Sequence, residues 1–378
     1  MKNAAALLAI LMLASCTTTE GGDDDGDGGG DGKADGSGMG APRNIPFSVS
    51  RHVWPPGAHG SDSQELLQKD LKLIAELGAK YVRTDVWWYV IEPSRGSYNE
   101  AALDYYRWFV EEAGRNGLGV VAILSGAPEW ANDLYKQNRR EEFTKAFGGY
   151  SEKVSAKIGD LITYWQLWNE PNNFLDLPNG ETDIKLFREG KAGVDRGRAA
   201  IGAQQPYRTA VNVLVDGHDG YWYDWEGDIR YYMNNGARDV IDIISIDHYP
   251  GTWSVGDWGG NIVDRLFDLG KEQGKSVAIF ELGYSTTRCT LPLNTEDGQV
   301  RWVKEQMPRL RSKLYSPGVT KGVKFELVNW FKIEDRNSHN CFDIEDNFGV
   351  VRTDRSKKPA FETLRAEIAK FWPFPQPQ

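Results

Sequence analysis

Ile162-Thr-Tyr-Trp-Gln-Leu-Trp-Asn-Glu-Pro171 is a strongly β-forming run that closes on a glutamate, and Ser276-Val-Ala-Ile-Phe-Glu-Leu-Gly-Tyr284 repeats the pattern around Glu281. Both are almost entirely apolar up to the acid, as in strands covered on both faces of a parallel sheet. A carboxylate at the mouth of a buried strand is costly to desolvate. Two such placements therefore call for a chemical reason.

Six further runs share this character: Ile45–Ser50, Tyr81–Val86, Gly119–Leu124, Arg208–Val215, Val240–Asp247 and Gly322–Asn329, with Thr163–Trp168 and Ser276–Phe280 completing eight. Between them lie amphipathic stretches, Ser63–Leu77, Glu100–Arg115, Gln137–Lys157, Thr182–Ile201, Gly260–Gln273 and Glu296–Leu314, and Pro359–Phe371 closes the series. Ser61-Asp-Ser-Gln-Glu and Asn294-Thr-Glu-Asp supply helix starts, while Gly78, Gly117 and Gly274 supply stops. Asp216–Gly236, rich in Trp, Tyr and Gly, is the weakest helical segment. Eight strands alternating with helices predict a single (β/α)8 TIM barrel over residues 42–378. Glu170 then ends the fourth strand and Glu281 the seventh. Arg83 and Asp85 fall on the second, His248 and Tyr249 follow the sixth, and Trp330 ends the eighth, all at the loop-bearing face where barrels carry their chemistry.

The residues before the barrel read as an address and a tether. Lys2 precedes an apolar run, Ala4–Ala14, too short for a mature membrane span and suited to a signal peptide over residues 1–16. Leu13-Ala-Ser-Cys16 resembles the lipobox of bacterial lipoproteins, which implies that Cys16 is lipidated and the protein anchored in the envelope; Thr17 after it leans towards the outer membrane or cell surface. Residues 17–41 are Gly- and Asp-rich and cannot bury a core, so a disordered linker is expected. Asp23, Asp25, Asp27 and Gly28 begin like a calcium loop, but Ala34 stands where the closing glutamate belongs.

The chain of 378 residues carries a net charge of −10, which argues against a nucleic-acid partner. No Gly-x-Ser-x-Gly elbow or phosphate-binding glycine loop occurs, and the five histidines show no ligand spacing, so neither cofactor nor catalytic metal is expected. With Cys16 lipidated, Cys289 and Cys341 remain, and export favours their pairing as a disulfide. Trp54, Trp87, Trp88, Trp130, Trp222, Trp225, Trp253, Trp258 and Trp330 all fall at strand ends or in following loops. Indole faces suit the apolar face of a pyranose, although half of these are expected to be packing.

In Tyr81-Val-Arg-Thr-Asp-Val-Trp-Trp-Tyr-Val-Ile-Glu-Pro-Ser-Arg-Gly-Ser-Tyr98, Ala127-Pro-Glu-Trp-Ala131, Trp168-Asn-Glu-Pro-Asn172, Ile246-Asp-His-Tyr-Pro250 and Phe280-Glu-Leu-Gly283, the chain resembles the clan A glycoside hydrolases, with the Trp168–Asn172 stretch most similar to families 39 and 5. The resemblance implies a retaining enzyme that cleaves β-linked glycans of β-glucan, xylan or mannan type by double displacement. Glu281 would be the nucleophile and Glu170 the acid/base. It further implies that Arg83 supports Glu281, Asn169 holds the sugar 2-hydroxyl, Tyr249 hydrogen-bonds the nucleophile, His248 lines the same subsite and Trp330 forms the platform under the scissile sugar. Trp88 and Trp130 are further candidates for sugar contact. The expected partner is an oligo- or polysaccharide, the membrane is met through the lipid alone, and the protein is expected to be a monomer. Two alternatives share these residues: a transglycosylase, and a surface glycan-binding lipoprotein whose barrel has lost turnover.

Overall fold

The computed structural model describes residues 44–372 apart from 59, 175–179, 216–223, 254–255, 288 and 290–293. The signal segment, Cys16, the 17–41 linker and Trp222 lie outside the described residues. Eight parallel strands, β1 (Phe47–Ser50), β2 (Tyr81–Trp87), β3 (Gly119–Ser125), β4 (Tyr164–Leu167), β5 (Arg208–Leu214), β6 (Ile243–Asp247), β7 (Ser276–Leu282) and β8 (Phe325–Trp330), pair in chain order, and β8 closes on β1. This is a (β/α)8 barrel. The outer ring consists of α1 (Gln64–Glu76), α2 (Glu100–Arg115), α3 (Arg140–Ile158), α4 (Glu181–Ala200), α5 (Trp225–Tyr232), α6 (Ile262–Gln273), α7 (Glu296–Leu314) and α8 (Ala360–Phe371). Ser63, Asn99 and Thr295 cap α1, α2 and α7 by accepting a backbone N–H in the first turn.

Boundaries differ from the sequence reading where a turn competes with a strand. β6 starts at Ile243 rather than Val240 because the amides of Val240 and Ile241 donate back to the Ala237 carbonyl. β8 starts at Phe325 rather than Gly322, since the Val323 amide closes a turn on Thr320. The helix expected over Gln137–Lys157 is interrupted at Asn138, whose φ of 60° separates Glu129–Lys136 from α3. The segment expected to be least helical holds α5 and a following π turn, Met233–Ala237.

Strand alternation divides the core in two. Val82, Val120, Trp165, Leu167, Val211, Ile244, Val277 and Val328 face the helices, whereas Val121, Tyr164, Ala210, Ile243, Ala278, Phe280 and Leu327 fill the barrel axis. Towards the carboxyl ends the interior turns polar, with Ser50, Arg83, Gln166, Asn212, Asp247 and Asn329 all buried. Glu281 joins them through a slip in the sheet. Ile246 pairs with Ile279, but Asp247 pairs with Glu281, so one extra residue of β7 is accommodated. Such a bulge re-aims the side chain after it. Phe280 fills the axis as alternation requires, and Glu281, which alternation would turn towards the helices, enters the barrel as well.

Beneath β4, α3 and α4 approach so closely that side chains are excluded. A Cβ on Gly197 would lie 2.0 Å from Ser155 Oγ and 2.3 Å from the Glu152 carbonyl, and one on Gly193 would lie 2.1 Å from the Gly148 carbonyl. Gly197→Val is therefore expected to destabilise the fold by about 1–3 kcal/mol or more through overpacking. Gly114→Ala in α2, where an added Cβ meets nothing within 4 Å, should instead stabilise it by about 0.5–1 kcal/mol. Thermal unfolding of the two variants checks both signs.

Candidate active site

The polar end of the barrel opens into a cavity of about 420 Å³, ample for a sugar residue, lined among others by Asn169, Glu170, Tyr249 and Glu281. Arg83 organises its floor. The guanidinium, 1% exposed, donates from Nη1 to Glu281 Oε1 at 2.7 Å, from Nη2 to Asn169 Oδ1 at 3.0 Å and from Nε to Gln166 Oε1 at 2.9 Å. Burial opposes its charge, but Glu281, Asp247 and Asp85 outweigh this and raise its pKa. The Tyr249 hydroxyl donates to the other oxygen of Glu281, so both carboxylate oxygens are held. Burial, then the charges of Glu281 and Asp247, push the Tyr249 hydroxyl's pKa well up and keep it a donor.

Glu170 stands opposite on a different kind of support. The chain leaves β4 through two left-handed residues, Trp168 at φ 77° and Glu170 at φ 43°, a conformation that is strained for side chains of this size. The turn is fixed by Asn212, whose Oδ1 accepts the Glu170 amide at 3.1 Å and Gln166 Nε2 at 2.6 Å. Asn212 Nδ2 donates onward to Asn169 Oδ1 at 3.1 Å. Three donors, from Arg83, Gln166 and Asn212, thus converge on Asn169 Oδ1, which leaves the Asn169 amide N–H groups to face the cavity. Burial, then the charge of Glu281, raises the Glu170 carboxyl to about 8; the Asn173 amide, donating at 3.3 Å, pulls the other way.

A third acid completes the cluster. Asp247 is wholly buried, accepts from Asn212 Nδ2, and places a carboxylate oxygen within 4.8 Å of oxygens on both Glu170 and Glu281. Burial, then repulsion from Glu281 and Glu170, drives its pKa well above the usual range. These three acids form a group with metal-ligand spacing, but the Arg83 guanidinium already supplies positive charge to it. The arrangement places one charge-paired carboxylate, Glu281, against one proton-retaining acid, Glu170.

Sequence reasoning missed Asp247, Gln166 and Asn212, although the period of two along β4, β5 and β6 turns each of them inward with Tyr164, Ala210 and Ile243. It also missed the far wall. His52 pairs through Nδ1 with Asp85, and Glu345 comes from a short 3₁₀ turn in the long loop after β8, where no periodicity marks it. Burial raises Glu345 to about 7, with Lys332 opposing and Glu281 adding to the shift.

Several expected sugar contacts lie elsewhere. Trp330 is fully buried against Trp302, and its neighbour Phe331 reaches the cavity instead. Trp88 is fully buried among Phe143, Phe147 and Tyr150, with Nε1 bonded to Glu92. Trp130 packs edge-on against Trp88 and donates to the Glu92 carbonyl. His248 is 6% exposed with its ring against Trp258, so its place is in the packing behind the cavity. Among the described residues, the indoles that line the cavity are Trp87, Trp168 and Trp253.

Comparison with known proteins agrees with this architecture. The profile of glycosyl hydrolase family 1 matches residues 29–183, under half of the chain. An aryl-phospho-beta-D-glucosidase of Bacillus subtilis is 29% identical over 180 residues, 47% of this chain and 36% of that protein. Coniferin beta-glucosidase of Pinus contorta is 29% identical over 162 residues, 41% of this chain and 31% of that protein. The chain thus spans about a third of the length of the curated relatives it matches. Among solved structures, a family 39 glycoside hydrolase from Bacteroides cellulosilyticus superposes with a TM-score of 0.64 at 20% identity, covering 87% of this chain and 64% of that one. A GH5_18 protein from Streptomyces cattleya gives 0.67 at 17% identity, covering 89% and 83%. At such identities these two establish the barrel fold alone. In sequence and in fold, the similarities run to clan A glycoside hydrolases.

Proposed function

We propose that the protein is a retaining glycosidase that hydrolyses O-glycosyl bonds of β-linked glycans. The observation that carries this reading is the pair Glu170–Glu281. Their carboxylate oxygens approach within 4.8 Å. Retention requires about 5–5.5 Å between the carboxyl groups, whereas inversion leaves roughly 6.5–9.5 Å for a water between them. The two acids also stand in the opposite environments that the two roles require.

In the first step a Glu281 oxygen attacks the anomeric carbon. The glycosidic C–O bond breaks, and the Glu170 proton passes to the departing oxygen. In the second, Glu170 takes a proton from water, the water oxygen bonds to the anomeric carbon, and the ester to Glu281 breaks. Arg83 and Tyr249 hold Glu281 in line and share its charge, while the free Asn169 amide is placed to bind a hydroxyl of the sugar. The curated relatives named as beta-glucosidases support a β-configured substrate. The Trp168–Asn172 motif favours families 39 and 5, the profile match favours family 1, and the proposed chemistry is common to the clan. A cluster with both acids, Arg83 and Tyr249 in place favours turnover over a binding protein. We further read the protein as exported and held in the envelope through Cys16, on the strength of its Leu13-Ala-Ser-Cys16 stretch.

Glu281→Gly should abolish hydrolysis of aryl β-glycosides, with azide restoring turnover as the α-glycosyl azide. Glu170→Ala should lose about 10²–10⁴-fold on substrates with poor leaving groups, and azide should yield the β-azide. Product configuration by NMR decides the matter: inverted product from the unmutated enzyme, or no glycoside cleaved, would end the proposal.

The alkaline limb of kcat/KM should fall near pH 8, because the acid works only while protonated and loses its proton as pH rises through that value. Asn173→Ala removes a donor that favours the ionised form, so the limb should move to higher pH. A limb that stays in place would show that Glu170 is not the group titrating. Finally, labelled fatty acid should be incorporated into the chain in bacteria and be absent from Cys16→Ala.

A further inference from the structure

A second hollow of about 190 Å³ adjoins the catalytic cavity and shares His52, Trp87 and Glu345 with it. Its remaining walls are Trp54, Lys332, Glu334 and Arg336. Trp54 and Trp87 are half-buried and stack with ring centroids 5.1 Å apart and planes 12° from parallel, which gives the hollow a rigid aromatic side. Lys332 is the unusual member. It is 4% exposed, yet among the described residues its ammonium makes no hydrogen bond and no ion pair; it lies 5.6 Å from the centre of the Phe331 ring and acts on Glu334 and Glu345 by charge alone. Glu334 is 7% exposed, with one oxygen 3.4 Å from Arg51 and the other, Oε2, buried without a hydrogen-bond partner. Buried polar atoms without hydrogen bonds are expensive, so the Lys332 ammonium and Glu334 Oε2 beside one hollow mark a place prepared for a polar guest.

The charge and position of the walls identify that guest. Lys332 and Arg336 are balanced by Glu334 and Glu345, and Arg336 is already paired with Asp343 and Asp346. An anionic guest would meet two carboxylates, whereas a neutral polyol can accept from Lys332, donate to a glutamate and lie against the indoles. The walls come from the ends of β1, β2 and β8 and the loop after β8. None comes from β4, which carries Glu170. A leaving group departs past the acid that protonates it, so the hollow lies on the opposite, glycone side of the scissile bond.

We propose that the Trp54–Trp87–Lys332–Glu334 hollow binds a neutral pyranose one residue beyond the scissile sugar, so that the preferred substrates carry a glycone of at least two sugars. This assignment of side rests on the proposed role of Glu170; the binding site itself does not.

Binding is measured by calorimetry on Glu170→Gln, so that no turnover is needed, with cellobiose, xylobiose and mannobiose set against glucose, xylose and mannose. Hydrolysis is measured in parallel on the unmutated enzyme, with p-nitrophenyl glycosides of the same six sugars. One disaccharide should bind about tenfold or more tightly than its monosaccharide, the size expected for one or two added hydrogen bonds. Adding Lys332→Met, or Trp54→Ala should the first not fold, should bring the ratio close to one, while Lys271→Met on the far face leaves it unchanged. Equal affinities in the parent, an unchanged ratio in both pocket variants, or tighter binding of a uronic-acid disaccharide would each overturn the assignment. Disaccharide preference without hydrolysis of any glycoside would sink the glycosidase and leave the pocket standing. Hydrolysis without preference would do the reverse.

Discussion

One guanidinium holds the polar end of this barrel together. Arg83 is buried on the axis, where a bare charge would be prohibitive, and its neighbours are arranged to answer it: Glu281 by charge, Asn169, Gln166 and Ser50 by hydrogen bonding. The residues it orients come from β1, β4 and β7, strands distributed around the ring. The positive charge is enough for one carboxylate, and the cluster contains three. Glu281 takes the ion pair, so Glu170 and Asp247 are the members that keep protons. The division of protons among the three acids is thus an outcome of charge balance in a dry place, and the proposed roles of Glu281 and Glu170 rest on it.

The amides do quieter work. Asn212 and Gln166 touch no acid–base step, yet together they fix the backbone of Glu170, the carbonyl of Asn169 and a carboxylate oxygen of Asp247. Both ends of the Asn212 and Gln166 amides are committed, and an amide that turned over would set like against like at several contacts at once. That commitment sustains two strained positions, Trp168 and Glu170 on either side of Asn169, without a glycine.

Much of this was legible in the sequence, for identifiable reasons. Eight buried strands alternating with capped helices leave few folds to choose from, and the ends of the fourth and seventh strands named both glutamates. Arg83, Asn169 and Tyr249 stand beside them as the motif reading expected. The aromatics were not legible, because strand ends and loops carry indoles to either side of the sheet. Trp330 and Trp88 turn into packing, while Phe331 and Trp87, one residue away from them in the chain, reach the cavities. Glu281 itself faces inward only because β7 carries an extra residue against β6, and strict alternation would have hidden it among the helices. Glu345 depends on the path of an irregular loop, which no periodicity encodes.

Cys289 and Cys341 form a disulfide between the loops that follow β7 and β8. The same two loops are stitched by Thr286 to Asn347 and by Ser285 to the Ile344 carbonyl, on either side of Glu345 in the chain. The barrel beneath owes nothing to this bond, since its strands close through their own ladder. The wall that carries Glu345 does, and closing that loop by oxidation restricts it far more than it restricts the core. Maturation of the two parts is therefore separable: a chain kept in a reducing cytosol can complete its scaffold and still lack a finished rim. Where the protein is made would then govern the shape of the cavity wall before it governs whether the barrel folds.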